Sequence, residues 1–448
     1  MERDTNQSSR LMNSRIFRPA IAALTAISLS AALGACSDLL SVENPGAIQD
    51  TQLNDETLAP ALVQSAVADF QRMYADLAYY GAVLTDEAVT GHNFETIKEI
   101  DLRIAKPNNG TINSGVYTPL QRARFSGDSI SGRLRVIYGD SASKSIGLAR
   151  TLAYAGYGSM LLGEFMCEAP VDPTSASLGW DDLMRRALDR FDESIVVATA
   201  ARQGNSKAVA SADSILALAH VGAARAALNI GDMAKAIEHG SKVPSGISFW
   251  VPHSTDKSYL ENTFYGATHG NNRNLGVDAY FRFLGDTRVR HTKTSRTGHN
   301  GLTLLWTPFQ SPSFGEWVPT VDVEFEKTTP IRFASGLEAR YIVAEARGAV
   351  QETVDLINER RKVGDPAATD ISLSLGAEGI MAELRNQRRR DFFLDGHRLG
   401  DLRRYKKLYT VDLFPSGPHP NTEWGNYGLN DCFMLPIQET TGNPNAKG

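Results

Sequence analysis

Apolar side chains recur at helical spacing along several long stretches of the chain. Residues 53–84 place leucine, valine, phenylalanine and methionine three or four positions apart, and residues 143–163 and 180–201 repeat this spacing. Because positions separated by three or four residues share one face of an α-helix, each stretch is typical of an amphipathic helix. The pattern therefore predicts that helices dominate the chain.

Two other stretches indicate pairs of helices joined by short turns. In residues 211–242 an alanine-rich helix runs to about residue 229, Gly231 and Asp232 make a turn, and Asp232 caps a second helix. Residues 336–362 repeat the arrangement around a turn at Arg347 and Gly348. Such pairs are typical of tetratricopeptide-like repeats, which stack into a superhelix. We therefore expect a mostly α fold of helical pairs, with an irregular α-bundle as the alternative.

Residues 243–334 break this helical pattern. They contain three of the five tryptophans and many other aromatic residues, scattered among Gly, Pro, Asn, Ser and Thr. We expect loops with a few short strands, inserted between the helical segments at about 50–242 and 336–410. The aromatic content argues against disorder. Residues 86–142, with turn signals at 107–110, are expected to form a lesser insertion.

The first residues indicate export and lipid anchoring. Four arginines precede an apolar block at 20–33, which has the length of a secretory signal and is too short to span a bilayer comfortably. The sequence Leu33-Gly34-Ala35-Cys36 resembles a bacterial lipobox. We expect residues 1–35 to be a signal peptide, residues 36–448 to form one domain, and Cys36 to carry the acyl chains. The alternative is a cleaved signal with an incidental cysteine.

The charge and cysteine content narrow the possible roles. The full chain has 46 lysines and arginines and 51 acidic residues. Four of the basic and two of the acidic residues lie in residues 1–35, so the rest of the chain has a net charge of −7. This mild acidity argues against nucleic-acid binding. Cys167 and Cys432 are the remaining cysteines. Outside the cytoplasm they could form a disulfide, and two free buried thiols are the equally open alternative.

Catalytic motifs are not evident in the sequence. Gly-Asp-Ser occurs at 127–129 and 139–141, as in esterase nucleophile blocks, but the Asp-x-x-His that would supply the base does not occur. We expect turns or helix caps there. The nine histidines lack metal-ligand spacing. We therefore predict no enzyme activity, catalytic residue, metal or cofactor, although a carboxylate pair for glycoside hydrolysis stays open.

The segment 383–404 is rich in both arginine and acidic residues. Its arginines could form an anion site, or they could pair with Glu383, Asp391, Asp395 and Asp401. We expect pairing, because the opposite charges are interleaved. Gly396 is expected to end or kink the helix after Asp395.

Several motifs together resemble the SusD/RagB family of outer-membrane nutrient-uptake lipoproteins. They are the lipobox followed by "SDLLSVENPGAI", then "LTDEAV", "INERRKVGDP", "LRNQRRRDFFLDGHRLGDLRRYKK" and "CFMLPIQETTGNPN". The resemblance spans residues 36–445. It implies a SusD-like α-α superhelix with a variable loop-rich insertion, a location at the outer membrane, and a SusC-type TonB-dependent transporter as partner. It also implies binding of a nutrient, commonly a glycan, without catalysis.

The candidate ligand-binding residues come from two regions. His92, Asn93 and Phe94 follow the first helix, in a region that often contacts ligand in the resembled family. The insertion contributes Trp306, Phe309, Phe314 and Trp317, whose flat rings could cover the apolar face of a sugar. These rings could instead fill the insertion's own core or face the transporter.

The sequence thus predicts a surface lipoprotein that binds an oligosaccharide or other nutrient and supports import. A glycan-cleaving lipoprotein and a scaffold that binds only protein are the alternatives.

Overall fold

The computed structural model describes residues 50–268, 272–289, 291–302, 304–307 and 326–446. The described residues from 54 onward form one compact unit, and a 3₁₀ turn is found at Asp50–Asn54. The signal segment, Cys36, Phe309, Phe314 and Trp317 lie outside the described residues, so the predictions for them stay predictions.

Helices dominate the described residues, as the sequence pattern predicts. The thirteen α-helices are α1 (Ala59–Leu84), α2 (Glu95–Asp101), α3 (Thr118–Tyr138), α4 (Ile146–Phe165), α5 (Trp180–Gly204), α6 (Val209–Asn229), α7 (Met233–Gly240), α8 (Thr263–Thr268), α9 (Gly336–Arg347), α10 (Gln351–Gly364), α11 (Gly376–Asp391), α12 (Arg398–Tyr409) and α13 (Ile437–Gly442).

Local caps explain where several helices begin. The side chain of Asp232 accepts a hydrogen bond from Lys235 N at 3.0 Å, which confirms its role as the N-cap of α7. The Ser335 hydroxyl does the same for Glu338 N at the start of α9. The turn between α9 and α10 lies at Gly348, which adopts a positive φ of 76°. Both helical pairs are therefore confirmed.

Successive helices pack against one another in chain order. Helix α4 is central and contacts α1, α3, α5 and α6, while α7 packs between α6 and α9. Aromatic rings from distant elements meet in the core, where Phe70 of α1 lies 5.1 Å from the ring of Phe333. Burial of these apolar side chains is the main force that holds the helices together.

The expectation of a lesser insertion at residues 86–142 is wrong in its second half. Helix α3 occupies Thr118–Tyr138 and packs on α1 and α4. The Gly-Asp-Ser of 127–129 is therefore mid-helix, not a turn or cap. Gly127 permits close helix packing, because a Cβ there would lie 2.8 Å from the Cα of Ala155. Asp128 binds Arg186 and Arg190, each at 2.7 Å.

Six short strands form three antiparallel pairs among the described residues. They are β1 (Ala88–Thr90), β2 (Ser248–Val251), β3 (Leu275–Val277), β4 (Thr292–Thr297), β5 (Leu304–Thr307) and β6 (Ile331–Ser335). The pairs are β1 with β3, β2 with β6, and β4 with β5. Most of these strands lie between α7 and α9, where loops with short strands are expected. The division of the chain into a scaffold and an insertion stays a prediction.

Buried ion pairs hold the arginine-rich segment against the rest of the fold. Arg388 Nε donates to Asp401 at 2.7 Å, as expected within the segment, whereas Arg398 binds Asp86 next to β1. Among the described residues, four of the seven arginines of this segment form ion pairs, and Asp401 is the one expected acid that binds them; their other partners come from other elements. The expected pairing is therefore confirmed only in part. The expected helix end is wrong: α11 ends at Asp391, and Gly396, with φ of 88°, lies in the loop before α12.

Cys167 and Cys432 are joined by a disulfide, with their Cα atoms 5.0 Å apart. The bond lies beside the bridge between Met166 and Phe433, where Phe433 N donates to Phe165 O at 2.8 Å. It therefore fastens the C-terminal segment to the end of α4. Of the two alternatives that the sequence left open, the structure has the disulfide.

Candidate functional site

One side of α1 lines an open cleft of about 550 Å³. Asp69, Arg72, Asp76 and Tyr80 follow one another at three- and four-residue spacing, so they share the face of α1 that is turned away from the core. The opposite face carries Phe70, Tyr74 and other buried residues. The same helix therefore supplies part of the core and one wall of the cleft.

The other walls come from three separate segments. Residues 258–267, which include most of α8, contribute Tyr259 and Thr263, and the start of α3 contributes Thr118 and Arg122. His92 and Asn274 close the third side. The cleft is thus assembled from parts of the chain that are far apart in sequence.

The charged groups of the cleft are held by partners within the protein. Arg122 Nε lies 2.9 Å from Asp69. The Thr263 hydroxyl donates to Asp76 at 2.7 Å, and burial raises the pKa of Asp76. A third carboxylate, Glu261, accepts a hydrogen bond from Lys327 at 2.9 Å. These contacts fix the carboxylates, and each retains lone pairs for a hydroxyl-bearing ligand.

Aromatic rings flank these polar groups. The guanidinium of Arg72 lies over the ring of Tyr259, 4.9 Å from its centre, and this ring is 60% exposed. Tyr80 packs edge-on against Tyr79 at 5.1 Å. Burial, followed by the charge of Asp76, raises the pKa of Tyr80 to about 12, so its hydroxyl keeps its proton at neutral pH. The cleft thus combines flat apolar surface with donors and acceptors.

Two polar atoms of the cleft lack a hydrogen-bond partner in the part of the chain that the structure describes. His92 Nδ1 and Asn274 Oδ1 are buried, and neither has a hydrogen-bond partner among the described residues. Gly91 N donates to Asn274 O at 2.9 Å, and this bond keeps His92, the residue after Gly91, close to Asn274. Gly91 allows this approach, since a Cβ there would lie 2.2 Å from Arg273 O. Because unsatisfied buried polar atoms are costly, each of these two atoms would gain from a hydrogen bond with an ordered water, or with a ligand once its side chain turns toward the cleft.

The candidates of the segment 92–94 divide between the cleft and its surroundings. His92 lines the cleft, and burial lowers its pKa. Phe94 packs on His92 with ring centres 4.4 Å apart and stays 59% exposed. Asn93 is exposed and is not among the lining residues.

The insertion candidates lie largely beyond the described part of the chain. The backbone of Trp306 belongs to β5 and pairs with Lys293 of β4, but the side chain of Trp306 is not part of the described structure. Sequence reasoning missed Tyr259, Asp76 and Asn274. The three- and four-residue spacing of the polar positions 69, 72, 76 and 80 could have indicated the polar face of α1, but an ordinary solvated helix face gives the same signal.

Neither a metal cluster nor a transmembrane helix is found in the described ranges. No group of three or more His, Cys, Asp or Glu residues in them could hold a metal ion. None of their helices has the length and apolarity needed to cross a bilayer.

Comparison with known proteins confirms the resemblance and the fold class. Residues 337–445 match the SusD family. The fold is similar to that of surface glycan-binding protein A from Bacteroides thetaiotaomicron, solved in complex with laminarihexaose, with a TM-score of 0.64 at 13% identity over 85% of this chain and 97% of that one. The SusD-like fold of mostly α-helices is therefore shown.

Two further solved structures share this fold. A SusD superfamily protein from Bacteroides fragilis has a TM-score of 0.62 and 12% identity, covering 88% of this chain and 99% of that one. A SusD-like carbohydrate binding protein from Bacteroides vulgatus has a TM-score of 0.62 and 13% identity, covering 88% of this chain and 97% of that one. No curated protein matches the chain in sequence.

Proposed function

We propose that this protein is a lipid-anchored outer-membrane protein that binds an oligosaccharide in the cleft and passes it to a SusC-type TonB-dependent transporter. The observation that carries the proposal is the open cleft in which the exposed ring of Tyr259 lies among ordered polar side chains, including His92 Nδ1 and Asn274 Oδ1, which have no hydrogen-bond partner among the described residues. The protein captures and delivers its ligand without changing it chemically.

The chemistry of the cleft suits a sugar better than an apolar or strongly charged ligand. A pyranose ring has an apolar C–H face, which an aromatic ring can cover, and hydroxyls that both donate and accept hydrogen bonds. Tyr259 and Tyr80 provide the flat surfaces. The Asn274 amide oxygen and the carboxylate of Asp76 accept from hydroxyls, whereas Arg72 donates to them.

The fold and the sequence motifs support the remaining parts of the proposal. Surface glycan-binding protein A, whose fold is similar, is known with laminarihexaose bound. The match of residues 337–445 to the SusD family supports a partnership with a transporter. The lipobox ending at Cys36 supports anchoring by acyl chains, with the protein facing the cell exterior.

The binding step can be tested with purified protein lacking residues 1–36. Isothermal titration against laminarihexaose, maltohexaose, cellohexaose and xylohexaose should identify at least one ligand. Gly266→Phe should abolish its binding, because Gly266 lines the cleft and a Cβ there meets open space, so the ring enters the cleft without a backbone clash. The matched control is Gly132→Phe, at an exposed helical glycine that has equally open space but lies outside the cleft.

The outcomes separate the three candidate functions. Products that appear during incubation would contradict pure binding and support a glycan-cleaving enzyme. Absence of binding to any glycan, combined with loss of uptake on gene deletion, would support the protein-binding scaffold. Retention of full affinity in Gly266→Phe would contradict the assignment of the cleft.

A further inference from the structure

A second cleft, of about 600 Å³, lies beside the first. One wall is formed by Tyr117, directly before α3, and by Gln121 and Phe125 of α3, and another is the loop at 170–173. The third wall is α13, whose last residue is Gly442.

The two clefts share part of their lining. Thr118 and Arg122 of α3 belong to both. The side chain of Arg122 is 65% exposed and is held by Asp69 of the first cleft at 2.9 Å. Arg122 therefore lies where the two clefts meet. Its guanidinium is available to a ligand that extends from one cleft into the other.

We propose that the second cleft continues the first as a single groove for a linear oligosaccharide, with Phe125 and its neighbours forming a second sugar subsite. The inference rests on the proposed function and specifies its substrate class, because a monosaccharide or a compact ligand would not need both clefts. Within this groove, α3 presents Thr118, Arg122 and Phe125 along one face, which extends over about 10 Å at a rise of ~1.5 Å per residue.

The second cleft is lined mainly by apolar groups, with a few polar groups among them, as ligand sites usually are. Phe125 is 59% exposed, and apolar side chains of Tyr117, Val171 and two prolines stand around it. The polar groups lie among them, on Gln121, Asp172 and Gln438. A cleft that bound only an apolar partner would not need these polar groups.

Hydrogen bonds already hold the walls of the second cleft in place. Gln121 Nε2 donates to Pro170 O at 2.7 Å, which connects α3 to the loop at 170–173. Asn443 Nδ2 donates to Ser175 O at 2.8 Å and connects the end of α13 to the same region. A surface ordered before binding loses less conformational entropy when the ligand arrives. The second cleft is thus suited to recognise a ligand rather than to fold around it.

The test uses a series of chain lengths of whichever glycan binds in the titrations above, from disaccharide to octasaccharide. Affinity should rise with length until both clefts are filled. Gly442→Phe places a ring in the second cleft, since a Cβ at Gly442 meets open space and its φ is not positive. This variant should lower the affinity for long chains by about tenfold, the effect of losing one aromatic contact and its hydrogen bonds.

The short members of the series separate this inference from the proposed function. Gly442→Phe and Phe125→Ala should bind short chains as the unmodified protein does, and Gly132→Phe should bind every length unchanged. If no glycan binds the unmodified protein, the proposed function fails. If glycans bind but long chains have no advantage, or Gly442→Phe leaves that advantage intact, only the second subsite fails. Displacement of a bound long glycan by a proline-rich peptide, but not by other glycans, would assign the second cleft to a peptide and contradict the inference.

Discussion

His220 Nδ1 and His239 Nδ1 lie 2.9 Å apart in the buried contact between α6 and α7. One ring must donate and the other accept, so at most one of these two nitrogens carries a hydrogen. The acids and bases around the pair are Asp192, whose carboxylate is 3.6 Å from His239 Nε2, together with Lys235, Glu238 and Lys242. Burial, followed by the charge of His239, lowers the pKa of His220 to about 4.

This pair predicts that acid destabilises the fold. Between about pH 6.5, where an unfolded histidine takes up a proton, and about pH 4, the unfolded state binds more protons than the folded state. The free energy of unfolding should therefore fall as the pH drops through this range, by about 2 kcal/mol. Urea unfolding at several pH values measures this fall. His220→Gln keeps a hydrogen-bonding group and should make the free energy of unfolding less dependent on pH, whereas His299→Gln, at an exposed position, should leave the pH dependence unchanged. An unchanged pH dependence in His220→Gln would contradict the assignment of this effect to His220.

Phe191 predicts a second stability effect, because two glycines enclose its ring. A Cβ at Gly222 of α6 would lie 2.2 Å from Phe191 Cζ, and one at Gly156 of α4 would lie 2.6 Å from Phe191 Cε1. Gly222→Ala should therefore destabilise the protein by about 1–3 kcal/mol, the usual effect of overpacking a core. Thermal unfolding should show a lower Tm.

A double variant tests that explanation. Phe191→Leu removes the ring edge, so Gly222→Ala should cost less stability in that background than in the unmodified protein. Gly132→Ala is the control, since an exposed helical glycine with open space should gain about 0.5–1 kcal/mol from the higher helix propensity of alanine. Equal losses in both backgrounds would show that the ring contact is not the cause.

The helical part of the fold could be predicted because its signals are local. Asp232 stands at a turn directly before an apolar repeat, and its cap needs only Lys235 three residues later. Helix α3 was missed because the Gly-Asp-Ser at 127–129 resembles a turn when neighbours in space are unknown. Glycine is needed at position 127 because a Cβ there would clash with Ala155 of α4, a residue 28 positions away. Long-range packing of this kind leaves little trace in a single sequence.

The candidate site shows the same limit more strongly. His92 could be chosen because the resembled family contacts ligand in that region, but Asn274 could not. Asn274 is an ordinary asparagine until β1 and β3 pair, which brings Gly91 against its backbone; among the described residues, its side-chain oxygen has no partner. Only the fold shows that two such distant residues share one wall.

The disulfide predicts that reducing agents lower stability. Cys167 and Cys432 are separated by 265 positions, so their bond restricts the unfolded chain strongly. Removing it should lower the free energy of unfolding by about 2–4 kcal/mol. Dithiothreitol should lower the Tm of the unmodified protein and should leave that of the double variant Cys167→Ser, Cys432→Ser unaffected. A Tm that reductant does not change in the unmodified protein would count against the bond.

Cys36 predicts where the full-length protein is found in cells. If Cys36 carries the acyl chains, Cys36→Ala should move the protein from the membrane fraction to the soluble fraction. The acyl chains supply the membrane affinity, at about 0.8 kcal/mol for each buried CH₂. Fractionation followed by immunoblotting, with the nearby Ser41→Ala as the control, measures the change. Membrane attachment of Cys36→Ala that resists salt and carbonate washing would contradict lipid anchoring.

Asn274 predicts opposite effects on stability and on binding. Its unpartnered, buried Oδ1 costs free energy in the unliganded protein, whereas the proposed ligand would supply the missing hydrogen bond. Asn274→Leu has a similar volume and no polar atom to satisfy, so it should raise the free energy of unfolding by about 1 kcal/mol and weaken glycan binding by about tenfold. Urea unfolding and isothermal titration measure the two effects. Asn108→Leu, at an exposed position that does not line the cleft, should change neither by a comparable amount. A purely structural asparagine would lose stability on the same substitution, so the sign of the stability change decides whether this oxygen is reserved for a ligand.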